Sequence, residues 1–258
     1  MLSRSVIPVG RLLLCLMFLT GTGAAQAQSL QQRMFGKDQD GRANAGPSVA
    51  RFESDDGETF ILDESGRQPL LRFEGDTEVW SLTVTQGAKG DRIYKNDVGQ
   101  PVLKSTRWGG MILFTDERPT GDPVAMSGKA DAFRQPRMSP ALLWQTLAKG
   151  SKRVSQALGR LVPFEAPNVT PGADALYAQA ADVTSSALVQ VALQSKGKQR
   201  LTGVESVQFV EGRPPSATLT NGVLVMKLDT SRGNWGGHVS SKRIVNVILT
   251  SYSVAERR

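Results

Sequence analysis

The chain has 258 residues, with 31 Lys and Arg against 24 Asp and Glu and a formal net charge of +7. Hydrophobic residues make up 40% of it, which is ordinary for a globular protein and allows a sizeable core. The only cysteine is Cys15 and the only histidine is His238. These counts exclude collagen-like, coiled-coil and disulfide-scaffold classes, and one histidine supplies too few ligands for a zinc site.

Residues 1–27 have the three parts of a secretory signal peptide. Arg4 and Arg11 precede the apolar run LLLCLMFL at 12–19, and Ala-Gln-Ala closes the segment at 25–27. The apolar run is too short for the ~20 residues that a membrane-spanning helix needs, and no later run is longer. We therefore predict an exported protein, periplasmic or secreted, cleaved after Ala27 and without a transmembrane span in the mature chain.

Cleavage changes both the thiol count and the charge. It removes Cys15, Arg4 and Arg11, so the mature chain is cysteine-free and keeps 29 basic and 24 acidic residues, a net charge of +5. This charge favours contact with anionic envelope surfaces such as lipid headgroups, lipopolysaccharide or acidic glycans. Nucleic acid is not expected as a partner, because export removes the protein from it and no basic patch interleaves with aromatic residues.

The first half of the mature chain is predicted to be a disordered lead-in followed by a β-rich module. Residues 28–48 are polar and rich in glycine without a sustained period. From 49 to 128, short apolar runs alternate with turns, beginning with a hairpin at Asp56-Gly57, and this pattern is typical of an antiparallel sheet. A similar hairpin pattern, aromatic residue then Asp and Gly, recurs from Tyr94 to Leu103.

The second half, 138–258, is predicted to be an α+β module behind a Pro- and Gly-rich linker at 121–137. An antiparallel helix pair opens it, with the second helix over 173–193 after a proline-rich loop. Asn221-Gly222 then predicts a β-hairpin. Residues 240–252 fit either a strand or a helix, and the serines at the start favour the helix. Whether the two modules pack as one domain is left open.

The first helix of the pair is predicted to start at the capping residue Ser139, with Pro140 in its first turn. Its apolar stripe comprises Leu143, Leu147, Val154, Leu158 and Leu161. The rest of its surface carries Lys149, Lys152, Arg153 and Arg160. This basic face is a candidate binding surface for an anionic partner.

Several runs resemble an uncharacterised family of secreted Gram-negative bacterial proteins known only as a domain of unknown function. They are IYKNDVGQPVL at 93–103, GGMILFT at 109–115, FEAP at 164–167 and SSKRI at 240–244. The resemblance covers roughly residues 50–250 and departs from the family pattern at His238-Val239. It implies one shared architecture behind a signal peptide, and it implies no activity, so it assigns no catalytic residue.

Catalytic chemistry finds little support in the residues. His238 is the only candidate base for a serine triad, and the chain lacks a Gly-x-Ser-x-Gly motif. A hydrolase using paired carboxylates would draw on Asp55, Asp56, Glu58 and Asp97, but these residues sit where hairpin turns favour aspartate. We predict no catalytic residue, no metal and no cofactor.

Trp108 and Trp235 each precede two glycines, a setting in which an indole can stack on a sugar ring or cover a sheet edge. The leading hypothesis is a non-catalytic cell-envelope interaction or structural protein with a basic surface for an anionic partner. The alternative is a glycan- or peptidoglycan-binding protein or, less favoured, a carboxylate-dependent hydrolase. The sequence does not indicate the ligand or the oligomeric state.

Overall fold

The computed structural model describes residues 47–135 and 137–255. The predicted signal peptide, and the predicted lead-in up to residue 46, lie outside these residues. Within them, no helix is both long and apolar enough to cross a membrane.

The β module is a nine-stranded antiparallel sheet in which the strands pair in the order β4-β3-β2-β1-β9-β8-β7-β6-β5. Its strands are β1 (Val49–Ser54), β2 (Thr59–Asp63), β3 (Leu70–Phe73), β4 (Trp80–Ser81), β5 (Thr83–Gln86), β6 (Arg92–Lys95), β7 (Pro101–Ser105), β8 (Met111–Leu113) and β9 (Asp122–Lys129). Only Leu82 separates the two edge strands β4 and β5 along the chain, so the sheet curls into a roll that brings its two edges together. The strand pairings do not join β4 to β5.

The interior of the roll is apolar and aromatic. Its buried side chains are Phe60, Leu62, Leu71, Leu82, Tyr94, Val102, Leu103 and Leu113. The two predicted hairpins of similar sequence are present: Phe52 faces Phe60 across β1 and β2, and Tyr94 faces Leu103 across β6 and β7. Gly57 and Gly99 both turn at φ +84°, where a side chain would be strained.

The linker prediction was wrong for residues 122–129, which form β9 between β1 and β8. Of these residues only Val124 packs against the sheet core, while Ala125 and Met126 are exposed. The period-2 apolar signal is therefore missing. Backbone hydrogen bonds to both neighbouring strands hold β9 in place, and these bonds do not depend on apolar side chains.

The α+β module has helices α1 (Pro140–Leu158), α2 (Asp174–Leu193), α3 (Gly197–Arg200), α4 (Gly233–Gly236) and α5 (Ser241–Ala255). A second sheet of β10 (Phe164–Glu165), β11 (Ser206–Glu211), β12 (Ser216–Thr220) and β13 (Val223–Leu228) is ordered β10-β11-β13-β12. The predicted α+β class is confirmed. The hairpin at Asn221-Gly222 is also confirmed, with φ of 49° and 81° as a type I′ turn requires.

Helix α2 lies at the centre of this module and is buried on most sides, which explains its largely apolar and small side chains. It packs against α1 and α5. Ile244 and Ile248 of α5 are fully buried in the shared core. The helical alternative for 240–252 is therefore correct.

Helix α1 begins as predicted, since the Ser139 hydroxyl accepts a hydrogen bond from the Leu142 amide at 3.4 Å. It ends earlier than predicted, at Gly159, whose φ of +74° closes the last turn. Leu161 therefore leaves the apolar stripe, and its side chain is 76% exposed.

Candidate functional site at the module interface

Two carboxylates of the β module bind the N-terminus of α5. Asp97, in the turn after β6, accepts hydrogen bonds from the Ser240 amide at 2.9 Å and the Ser240 hydroxyl at 2.5 Å. Glu78, just before β4, accepts from the amide and hydroxyl of Ser241 at 2.9 and 2.5 Å. Free amides and a positive partial charge at a helix N-terminus attract such groups. These four residues form what we call the carboxylate clamp.

Beside the clamp lies a cavity of about 450 Å³ lined by both modules, here the interface pocket. Trp80 and Lys95 contribute to its wall from the β module, and Arg232, Trp235 and His238 from the α+β module. The lining also includes Gln68, Glu78, Val79, Ser81, Thr83, Asn96, Asp97, Gly99, Pro214, Pro215, Gly236, Val239, Ser240 and Arg243. Aromatic rings among hydrogen-bonding side chains, at a module boundary, are typical of small-ligand sites.

Burial sets the ionisation of two groups in this wall. Burial raises the pKa of Glu78, and the hydrogen bonds from Ser241 and Trp80 act against that rise. Burial also lowers the pKa of His238, against the hydrogen bond to Val239 and the charge of Asp97. The Nδ1 of His238 lies 2.9 Å from the Val239 carbonyl oxygen, and its Nε2 has no hydrogen-bond partner among the described residues.

Among the described residues, these contacts form no serine–histidine pair. The Ser240 hydroxyl donates to Asp97, and Nδ1 of His238 faces a backbone carbonyl, so neither makes a serine–histidine pair. Glu78 and Asp97 are both occupied by α5. Among the described residues, no group of three His, Cys, Asp or Glu side chains is placed to hold a metal ion.

Trp235 also borders a second depression of about 500 Å³, here the basic groove. The side chains of Arg51, Ile61 and Arg72 lie side by side on β1, β2 and β3 and line it. Its other lining residues are Lys129, Ala130, Asp131, Ala132, Phe133 and Arg134. The groove thus brings four cations together with one carboxylate.

Aromatic contacts organise the floor of the basic groove. The Arg72 guanidinium lies 5.0 Å from the centroid of the Phe133 ring. Phe133 in turn meets Trp235 edge to face, with centroids 6.4 Å apart. Arg51 is paired with Glu74 at 2.9 Å. Cationic and aromatic groups therefore lie next to each other on this surface.

The structure separates the two candidate tryptophans. Trp235 lines both the interface pocket and the basic groove, whereas Trp108 lies in the turn between β7 and β8 and lines neither. The side chain of Trp108 is 82% exposed. The two Trp-Gly-Gly sequences therefore lie on different surfaces.

The four predicted cations of the first helix divide into two kinds. Lys149 and Lys152 are exposed on α1. Arg153 donates to the hydroxyls of Ser185 and Ser186 at 3.3 and 3.4 Å on α2. Arg160 was predicted on the helix surface but lies beyond its end, where it donates to the carbonyls of Leu201 and Val204 at 2.8 and 2.5 Å.

Sequence reasoning missed Glu78 and the groove cations Arg51, Arg72, Lys129 and Arg134. Glu78 follows a turn without a recognisable motif, and the four cations come from separate strands and loops. The alternation of Arg51 and Arg72 with apolar residues on their strands was an available signal that these two side chains point outward. Their convergence with Lys129 depends on the pairing of β1 with β9.

The fold and site define a two-module α+β protein with a pocket at the module interface and a cationic groove beside it. The chain belongs to the family described as Domain of unknown function (DUF4908), whose model matches residues 29–248. This match confirms the resemblance inferred from the sequence. No curated protein and no solved structure is significantly similar to the chain.

Proposed function

We propose that this protein is an exported, non-catalytic component of the cell envelope that binds an acidic glycan around Trp235. The observation that carries the proposal is the basic groove, in which Arg51, Arg72, Lys129 and Arg134 face a single acid, Asp131. Counting Glu74, which pairs with Arg51, the four cations face two carboxylates, so the groove keeps a net positive charge that attracts an anionic ligand.

The chemistry of the groove suits an acidic sugar better than a featureless anionic surface. Arginine binds a carboxylate through two parallel hydrogen bonds, and an indole ring packs on the apolar face of a sugar. Trp235 links the groove to the interface pocket, whose Gln68, Asn96 and Lys95 suit sugar hydroxyls.

Export is part of the proposal, supported by the charged, apolar and small-residue segments of 1–27. The family match begins at residue 29, two residues after the proposed cleavage position. Mass spectrometry of the protein isolated from its native envelope is expected to show a chain that starts at Gln28. An intact chain that starts at Met1 would contradict export by this route.

The binding proposal is tested with Lys129→Glu/Arg134→Glu, two exposed positions of the basic groove. We expect the affinity of this double variant for a polyuronate, measured by calorimetry at low salt, to fall at least about tenfold, which is about 1.4 kcal/mol. Trp235→Ala is expected to lower the affinity similarly. Neutral dextran serves as the ligand control.

The matched control is Lys149→Glu/Lys152→Glu, which makes the same charge change on the exposed face of α1. We expect this variant to bind the polyuronate within about twofold of the wild type. The small margin covers the long-range effect of changed surface charge, which salt screens only in part. If the α1 variant loses binding and the groove variant keeps it, the ligand lies on the helix face and the groove proposal is wrong.

A further inference from the structure

We propose that the turn at residues 106–110 is an anchor that inserts Trp108 into the interfacial region of an anionic lipid bilayer. The proposal concerns a surface distinct from the basic groove and a different partner. Trp108 does not line the groove or the interface pocket.

The first argument is the exposure of the turn. Trp108 is 82% exposed, more than any other large hydrophobic side chain of the described residues. A Cβ added to Gly109 would meet no described heavy atom within 4 Å, and one added to Gly110 would meet only the Thr106 hydroxyl at 3.2 Å. The tip of the turn, at Trp108 and Gly109, therefore projects into open space, and its indole can enter a lipid interface without unpacking the sheet.

The second argument is that the turn is rigid. The Gly109 amide donates to the Thr106 carbonyl at 3.0 Å, and the Thr106 amide donates to the Gly110 carbonyl at 2.8 Å. The Gly110 amide also donates to the Thr106 hydroxyl at 3.0 Å. A preformed turn loses little conformational entropy when its tip is immobilised.

The third argument is the charge around the indole. The Arg107 guanidinium lies 4.2 Å from the centroid of the Trp108 ring. Lys89 belongs to the neighbouring turn, in which a Cβ on Gly90 would lie 3.9 Å from the Cβ of Arg107. Asp91 pairs with Lys104 at 2.9 Å. Arg107, Lys89 and Lys104 thus outnumber the single carboxylate of Asp91 in the two neighbouring turns, and this positive charge complements anionic headgroups.

These features favour a bilayer over a sugar as the occupant. Tryptophan concentrates at the boundary between headgroups and acyl chains, and nearby Lys and Arg side chains are attracted to an anionic leaflet. A sugar platform needs an open ring face and adjacent hydrogen-bonding side chains. Here Arg107 covers one face of the ring, and the two residues that follow Trp108 are glycines.

The test measures co-sedimentation of the purified protein with vesicles of phosphatidylglycerol and phosphatidylcholine, and with vesicles of phosphatidylcholine alone. We expect binding to the anionic vesicles and at least tenfold weaker binding to the neutral ones. Trp108→Ala should reduce binding to the anionic vesicles at least fivefold. Brominated lipid should quench the wild-type fluorescence more than that of Trp108→Ala.

The matched control is Trp144→Ala, which removes a 53% exposed indole from α1. We expect this variant to bind vesicles within twofold of the wild type. Equal losses in the two variants, or unchanged binding by Trp108→Ala, would overturn the proposal.

Measuring polyuronate binding by the same variants distinguishes this proposal from the proposed function. We expect Lys129→Glu/Arg134→Glu to lose polyuronate binding and to keep vesicle binding, and Trp108→Ala to show the reverse. If Trp108→Ala instead loses polyuronate binding and keeps vesicle binding, the turn contacts glycan and the lipid proposal is wrong. If the groove variant keeps its polyuronate binding and Trp108→Ala behaves as expected, only the proposed function is contradicted.

Discussion

Asp97→Ala is expected to lower the free energy of unfolding by about 2–4 kcal/mol, measured by urea denaturation at pH 7. The substitution removes a side chain that caps α5 from the other module and accepts from the amide and hydroxyl of Ser240. It also removes the partner of Arg243, whose Nε lies 3.2 Å from the same carboxylate. A helix cap contributes about 1 kcal/mol and a hydrogen bond to a charged group about 1.5–3 kcal/mol.

Asp116→Ala is the matched control for this prediction. Asp116 also belongs to the β module and also pairs with α5, through Lys242 at 2.6 Å, but its side chain is 76% exposed. Exposed pairs contribute little because water and salt screen them, so we expect less than about 1 kcal/mol. Equal effects of Asp97→Ala and Asp116→Ala would show that the clamp does not stabilise the module interface.

A double-mutant cycle identifies the contact responsible. Ser240→Ala removes the hydroxyl that donates to Asp97 but keeps the backbone amide. If the two side chains act through each other, the double variant should lose less stability than the sum of the single variants, by at least about 0.5 kcal/mol. Additive losses would place the effect of Asp97 on the amide or on Arg243 instead.

Much of the fold is encoded in short-range signals, and these were readable from the sequence. Asn221-Gly222 fixes a type I′ turn because both residues tolerate positive φ, and Ser139-Pro140 starts α1. The central strand β9 was not predictable in this way. Its pairing with β1 joins residues far apart in the chain, and its exposed side chains look like those of a linker.

The same distinction applies to the candidate site. Ser240 and Ser241 were recognised as capping residues of a helix, and Asp97 as a turn residue. That Asp97 and Ser240 bond to each other across 143 residues of chain follows only from how the two modules pack. Trp235 was singled out for its glycine neighbours, but the cations beside it are brought together by strand register.

The clamp and the interface pocket share Glu78, Asp97 and Ser240. The shape of the pocket therefore depends on how α5 is seated against the β module. A ligand that fills the pocket would contact both modules and would stabilise their association by mass action. Ligand-induced stabilisation should consequently be smaller in Asp97→Ala than in Asp116→Ala.

The second large effect concerns His238, the only histidine in the chain. We expect the protein to lose stability as the pH falls below about 6.5, the ordinary histidine value. Burial lowers the pKa of His238 in the folded state, so in this range the unfolded chain takes up a proton that the folded chain does not. One such proton reduces the free energy of unfolding by at most about 1.4 kcal/mol per pH unit, until the lower folded pKa is reached.

The effect of Glu78 on the pH dependence of stability has the opposite sign, so the experiment must distinguish it from the effect of His238. Because burial raises the pKa of Glu78, the folded chain holds its proton more tightly, and stability falls as the pH rises from about 4.5 through that higher value. The difference in unfolding free energy between wild type and His238→Gln, followed from pH 8 to pH 5, isolates the histidine contribution. This difference should be constant above pH 7. Below pH 6.5 the wild type should lose stability relative to His238→Gln, because only the wild type carries the histidine.

A direct titration keeps this prediction testable even if His238→Gln is too unstable to purify. The imidazole resonances of the wild type should be assignable at once, because the chain has a single histidine. We expect their midpoint to lie below 6.5, since protonation would charge a side chain that is only 7% exposed. A midpoint at or above 6.5 would mean that the hydrogen bond to Val239 and the charge of Asp97 outweigh burial, and the acid loss of stability would then have to come from another group.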